Sequence, residues 1–417
     1  MTNGMLRIVA PVVTAIVLAL GSGALVAPAG RAAAAEKKPK LDLSEDVRKK
    51  IIPAQEAFNK GDWDGCLARA KEALEISTKP YDKEMSLRFM AQALIKKQDY
   101  PAYAEVAEQL IVLETVADDE RAKTYPNLAR IFYTGKNFEK AEKYAKLWAQ
   151  AAPSADAYNL LVAVYYNQQN YADAVAAQEK ALELDKAAGK EPTEQMLRIL
   201  NTCYYKLGDK PHRAEVMEKL MRQFPKADYY SDLVQLYREG ELDKRALLNL
   251  YRLGFYKDYI SRESMFVDYV EQAMDAGAPA EALNVIETAK AKGAFVVIAQ
   301  TDRNGRLMAT AKQQAAEDHK LIAQLDKEAR AGKNGEADVK TGLAYMSFGE
   351  CDKAVEAIER GLTPERVAKV KRVDEAEMML GICYTKLGKK DEAQKAFTAA
   401  QGDPRMAKAA TLWLQVL

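Results

Sequence analysis

One short pattern recurs along this chain and constrains its fold more than any other feature: a tight turn followed, a few residues later, by a small side chain. Gly61-Asp62-Trp63 precedes Cys66, Gln98-Asp99-Tyr100 precedes Tyr103, Lys136-Asn137-Phe138 precedes Ala141, and Gln169-Asn170-Tyr171 precedes Ala174. Further on, Gly208 precedes Arg213, Gly240 precedes Ala246, Gly277 precedes Ala282, Gly349 precedes Ala354 and Gly388 precedes Ala393. Successive anchors lie 37, 38, 33, 39, 33, 36, 72 and 39 positions apart. A fixed period of this length marks a repeat array, in which each unit buries its apolar face only by stacking on the next. The interval of 72 is a double period, which predicts a degenerate unit or a helical insert between residues 295 and 335.

Ahead of each turn, apolar and aromatic residues follow helical spacing: Tyr125, Leu128 and Phe132; Tyr158, Leu161 and Tyr165; Leu197, Leu200 and Tyr204; Leu380, Gly381 and Tyr384. Each unit therefore reads as helix, turn, helix. Cys203-Tyr204-Tyr205-Lys206-Leu207-Gly208 and Cys383-Tyr384-Thr385-Lys386-Leu387-Gly388 are nearly one peptide, as duplication would leave them. A composition 48% hydrophobic and 29% charged supplies a core without resembling a disordered chain. Small residues at Ala141, Ala174, Ala246, Ala282, Ala354 and Ala393 let helices approach closely.

The repeat resembles the tetratricopeptide (TPR) family, whose pattern places an aromatic, Leu-Gly and Tyr on a first helix, Ala and an aromatic on a second, and Pro at the end. The resemblance is strongest at Tyr158 to Ala181 and at Glu377 to Pro404, and Pro153 and Pro225 close two units. It implies an all-α fold, a right-handed α-solenoid of stacked helix-turn-helix repeats. The expected organisation is a signal peptide over 1–35, a polar linker over 36–43, repeats one to seven over 44–290, a degenerate repeat or insert over 291–337, repeats eight and nine over 338–404, and a capping helix over 405–417. Pro53 and Arg213 depart from the pattern. Leu412, Trp413 and Leu414 read as a helix covering the apolar end of the stack, with an exposed partner-binding tail as the alternative.

Residues 1–35 have the form of a secretory leader: Arg7 in a short positive start, an apolar run from Ile8 to Leu20, and Ala33-Ala34-Ala35 before Glu36. Cleavage there predicts a periplasmic protein; an uncleaved anchor is the alternative and the one predicted route to a membrane. Arg7 and Arg31 are the charged residues before Glu36, so cleavage would move the formal charge from +1 to −1, giving no electrostatic case for nucleic acid. Cys66, Cys203, Cys351 and Cys383 all fall in helical patterns. Buried free thiols and a Cys351–Cys383 bridge between adjacent units both remain open.

No catalytic, cofactor or metal constellation stands out. His212 and His319 are the two histidines, and neither has a second His or Cys at metal-ligand spacing beside it. Neither a phosphate-binding glycine loop nor a Gly-x-Ser-x-Gly elbow is present. The basic run Arg366, Lys369, Lys371 and Arg372 is followed at once by Asp374, Glu375 and Glu377 and reads as a screened surface.

The family resemblance places particular first-helix positions on a concave groove. Carried onto this sequence, these are Arg88 and Gln92, Arg130 and Tyr133, Asn159, Tyr166 and Asn167, Arg198 and Tyr205, and Gln235 and Arg238. Arginine forks, tyrosine plates and amides suit peptide capture, with an acidic or C-terminal peptide as the guest. Polar solvation of the inner helices is the competing reading. The expected function is a non-enzymatic scaffold or adaptor aiding assembly of an envelope complex. The alternatives are a self-associating structural module, or an envelope enzyme or carbohydrate-binding protein using residues 295–335.

Overall fold

The computed structural model describes residues 42–240, 242–296 and 302–417. The leader and all but the end of the linker lie outside them. Among the described residues there are twenty α-helices and no strand. Two compact units divide the chain at Pro192 and Thr193.

The first unit holds four helical hairpins: α1 (Glu45–Asn59) with α2 (Trp63–Glu75), α3 (Pro80–Lys96) with α4 (Tyr100–Ile111), α5 (Asp118–Thr134) with α6 (Phe138–Ala151), and α7 (Ala155–Asn167) with α8 (Tyr171–Ala187). Each helix packs on the next in order, and α1 and α5 also touch α3 and α7. At the start, Val47, Ile51, Cys66, Ala70, Met85 and Phe89 share one buried cluster, so two hairpins complete a core that one could not. Pro53 lies within α1, which continues through it.

The second unit begins with α9 (Glu194–Leu207) and α10 (Lys210–Gln223), α11 (Ala227–Glu239) and α12 (Lys244–Tyr256), and α13 (Glu263–Asp275) and α14 (Pro279–Ala291). After α15 (Arg303–Ala331) come α16 (Gly335–Ser347) with α17 (Cys351–Gly361), α18 (Val373–Lys386) with α19 (Lys390–Gln401), and α20 (Ala407–Leu414).

The recurring turn has one geometry. In eight hairpins the residue two before the second helix has positive φ: Gly61, Gln98, Lys136, Gln169, Gly208, Gly277, Gly349 and Gly388. The next residue caps that helix, and its amide returns to a carbonyl near the end of the first, as in Asp62 N to Ala57 O at 2.9 Å and Lys389 N to Tyr384 O at 2.9 Å. Where the cap is Asp or Asn, its side chain accepts from an amide of the first turn: Asp62 from Gly65 at 2.8 Å, Asn137 from Lys140 at 3.1 Å. The small anchor sits four positions after the cap, where the helices touch. Cys66, Ala141, Ala174, Ala282, Ala354 and Ala393 are fully buried there. Ala246, also fully buried, follows its cap Asp243 by three positions. Arg213 keeps this position as a partly buried side chain, donating from Nε to Asn201 Oδ1 at 3.1 Å and lying over the Tyr205 ring.

Residues 303–331 form one unbroken helix of 29 residues, without the turn that a degenerate repeat requires. After Gly305 this stretch has no glycine or proline, and Ala, Gln, Lys, Glu and Leu favour continuous helix. At 1.5 Å per residue it spans roughly 43 Å.

The second unit also closes on itself. α20 packs on α19 and reaches back to α12, which α18 also touches. Trp413 is fully buried, stacked on Phe397 and close to Tyr256, with its indole N–H on Asn249 O at 2.9 Å. The terminal helix is thus internal structure and not an exposed tail. Around it runs a buried polar chain. Arg252 grips Glu281 with two 2.8 Å bonds and donates to Asn249 Oδ1 at 2.9 Å, while Tyr269 donates to Glu281 at 2.7 Å. Glu281 N donates to Ser347 Oγ at 2.9 Å, tying α14 to α16. Arg372 completes the closure by bridging Asp243, beside α12, and Asp374 on α18.

Candidate functional site

The first unit carries an open cavity of about 450 Å³ between successive hairpins. Tyr100, Tyr103 and Glu105 of α4 form one side, and Asn127, Arg130 and Phe132 of α5 the other. The lining combines aromatic plates with a few polar groups, the usual composition of a ligand cleft. Burial pushes the Tyr103 hydroxyl up, opposed by its bond with Asn127, so this phenol stays protonated at neutral pH. Lys140 at the α6 end donates to Glu108 at 2.5 Å, and Tyr144 donates to the other oxygen of that carboxylate at 2.8 Å. The lysine charge is therefore already answered.

Arg130 differs. Its guanidinium lies 4.9 Å over the Trp148 ring, and no carboxylate among the described residues forms an ion pair with it. The indole orients the fork without neutralising it.

Other groove positions in this unit are engaged to varying degrees. Arg88 donates to Glu84 at 2.7 Å and holds Glu120 of α5 in a two-pronged pair. That guanidinium keeps the Glu120 carboxyl below its ordinary range despite partial burial. Gln92 lies one turn further along α3, half-buried. Tyr133 of α5 and Asn167 of α7 are brought together, Asn167 Nδ2 donating to the tyrosine oxygen at 3.4 Å and to Ala163 O at 2.7 Å. Asn159 accepts from Gln178 at 3.3 Å, and exposed Tyr166 meets the Tyr171 ring edge-on.

In the second unit, Arg198 is exposed near Glu194, whose carboxyl is held low chiefly by Lys226 and Tyr229 and less by Arg198. Tyr205 is exposed beneath Arg213 at 5.0 Å. Gln235 donates to Glu239 at 2.7 Å, and Arg238 forms an ion pair with Asp268. Of the four groove arginines, Arg88 and Arg238 are thus already held by carboxylates one repeat further on, Glu120 and Asp268.

Sequence reasoning missed Trp148 and the α4 wall, Tyr100 and Tyr103. Both belong to second helices, and attention to the first-helix face passed over them; Trp148 stands seven positions after the anchor Ala141, on the same helix face. The histidines take structural places: His212 bonds its cap Asp209 at 2.7 Å and stacks on Tyr204, and His319 meets Phe348 edge-on. Among the described residues no group of His, Cys, Asp or Glu could hold a metal ion, and no described helix is long and apolar enough to cross a membrane.

Two stretches match family models described as tetratricopeptide repeat: residues 154–186, spanning α7 and α8, and residues 375–402, spanning α18 and α19. No curated protein matches the chain. Among solved structures, MamA from Desulfovibrio magneticus is 20% identical, covers 43% of this chain and 96% of its own, and superposes with a TM-score of 0.30. A tetratricopeptide repeat protein from Parabacteroides merdae is 13% identical over 64% of this chain and 100% of its own, with a TM-score of 0.30. A Naa15/Naa10 structure bound to HypK-THB is 13% identical over 89% of this chain and 66% of its own, with a TM-score of 0.38. These superpositions are partial; the matched repeats and the hairpin geometry carry the assignment.

Proposed function

From the premise that this chain is a tetratricopeptide repeat protein, a protein-interaction scaffold, we propose that it acts as a non-enzymatic adaptor holding a peptide segment of a partner against its first unit. The observation that carries this reading is the cavity beside Arg130: apolar volume for one side chain and, at its edge, a guanidinium with no carboxylate of its own. A partner segment ending in an apolar residue would place its side chain between Tyr100, Tyr103 and Phe132 and its terminal carboxylate on Arg130. An acidic side chain beside an apolar one would meet the same two features. The leader-like residues 1–35 support an exported, periplasmic setting and a role in an envelope complex.

Site-specific photocrosslinking from position 100 in cells, with the crosslinked partner peptide mapped by mass spectrometry, tests the reading. Capture of a discrete segment with an apolar and carboxylate-bearing end supports it; crosslinks scattered over many unrelated sequences would overturn it. The mature N-terminus, read in the same samples, should lie near Glu36.

Self-association is favoured by a different observation. On α15, Leu321 and Leu325 stand one turn apart and about half exposed, beside a cavity of about 350 Å³ between α15 and α16. Light scattering over a concentration series distinguishes the two: a concentration-independent monomer leaves the adaptor reading, and ordered oligomers favour self-association.

A further inference from the structure

Three charged side chains line the cavity of the first unit: Glu105 on α4, Arg130 on α5 and Lys140 on α6. Lys140 is answered by Glu108, whose carboxylate also accepts from Tyr144. Arg130 lies over the Trp148 ring, and neither it nor the Glu105 carboxylate forms an ion pair with a described residue. The two do not pair with each other either, so one uncommitted cation and one uncommitted anion face the same space. Resting on the reading of this cavity as the seat of a carboxylate-bearing apolar segment, we infer that the guest also carries a basic side chain, lysine or arginine, a few residues before that carboxylate, and that Glu105 receives it.

The shape of the α4 wall suits such a side chain. Pro101 and Glu105 stand four residues apart and therefore share one helix face, with Tyr100 beside them. The approach to the carboxylate is thus ring and hydrocarbon. A lysine or arginine packs its methylene stem on a surface of this kind and keeps its charged head in water. Glu105 is exposed, at the wet edge where such a head ends. A cavity of about 450 Å³ lies within the range that takes a whole small molecule, so one apolar side chain leaves room for a second group.

The same carboxylate acts against the wrong guest. A segment with a carboxylate for Arg130 and further acidic groups beside it would set like charges against Glu105, and repulsion of that kind supplies selectivity as effectively as a new attraction. A basic residue close to the guest's carboxylate removes the repulsion and replaces it with a pair. The cavity therefore reads charge of both signs.

The probe is a set of hexapeptides, blocked at the N-terminus by a fluorophore, each ending in leucine with a free carboxylate. Each carries lysine, norleucine or glutamate at the second, third or fourth position from the end. Anisotropy titration of the full-length protein should show, at one of these positions, lysine tighter than norleucine by about three- to fivefold, the size expected of a partly exposed ion pair, and glutamate weaker than both. Glu105→Gln should remove the lysine preference, and Glu105→Lys should reverse it in favour of glutamate. Both substitutions fall at an exposed position, so the helical circular-dichroism signal should persist. Equal affinity for lysine and norleucine at all three positions, or a lysine preference that survives Glu105→Gln, would overturn the inference while binding that depends on Arg130 upholds the seat. Binding of no peptide, or binding indifferent to Arg130→Glu, would bring down the seat and the inference with it.

Discussion

Trp413 donates its indole N–H to the backbone carbonyl of Asn249, 164 positions earlier, at 2.9 Å. This bond returns the C-terminal helix to the middle of the second unit, where Asn249 and Arg252 are also buried. In an open repeat array a terminal helix protects only the end of the stack. Here Lys408 of the same helix also reaches the Tyr237 ring of α11, so α20 braces the unit as well as covering α19. The polar chain of Arg252, Glu281, Tyr269 and Asn249 is satisfied within the second unit.

Trp413→Ala should therefore lower stability by about 3–5 kcal/mol, the range for removing a fully buried large aromatic. Urea unfolding followed by circular dichroism measures it. A loss below about 1 kcal/mol would be typical of a surface site and would show that α20 does not carry the closure.

Gly381→Ala should destabilise by about 1–3 kcal/mol through overpacking. A Cβ at Gly381 would stand 2.5 Å from the Phe397 ring, on the second helix of the same hairpin. Adding Phe397→Leu should recover part of the loss, since it vacates the volume. If the double variant is as unstable as the sum of the singles, the contact is not the cause.

Glu377 sits half-buried on α18, and burial alone raises its carboxyl above the ordinary range. A raised carboxyl binds its proton more tightly folded than unfolded, so the native state carries a penalty above the folded pKa that vanishes below the unfolded value of about 4.3. Glu377→Gln should thus gain a few tenths to about 1 kcal/mol at pH 7 and nothing near pH 3.5. Denaturant midpoints of both proteins across pH check the sign; a gain that is the same at both ends would show the effect is not ionisation.

The hairpins were legible because their turn chemistry is local. Eight of them use one residue in a left-handed conformation followed by a cap, most with a small anchor four positions on, and Gly208-Asp209 or Gly388 displays the turn directly. Gln98, Lys136 and Gln169 adopt the same positive φ without glycine, yet the caps Asp99, Asn137 and Asn170 kept them visible. The return of α20 was not legible, since nothing near Trp413 names Asn249 as its partner. The site was legible in its residue types and less so in its electrostatics. Arg88 and Arg130 look alike in the sequence, but Glu120 is placed to neutralise one and Trp148 to stack beneath the other. Which neighbour an arginine meets depends on how adjacent hairpins pack.

Arg130 and the cavity beside it are the proposed seat of a partner's carboxylate-bearing apolar segment, and binding tests that role most directly. The measurement is the affinity of the full-length protein for a fluorescent C-terminal peptide library, compared with Arg130→Glu at two salt concentrations. A desolvated charge-assisted contact is worth about 1.5–3 kcal/mol, so charge reversal should weaken binding by at least about tenfold and flatten its salt dependence. The helical circular-dichroism signal should be unchanged, and amidating the peptide terminus should cost the unmutated protein far more than the variant. Equal affinity and equal salt dependence for both proteins would contradict the claim.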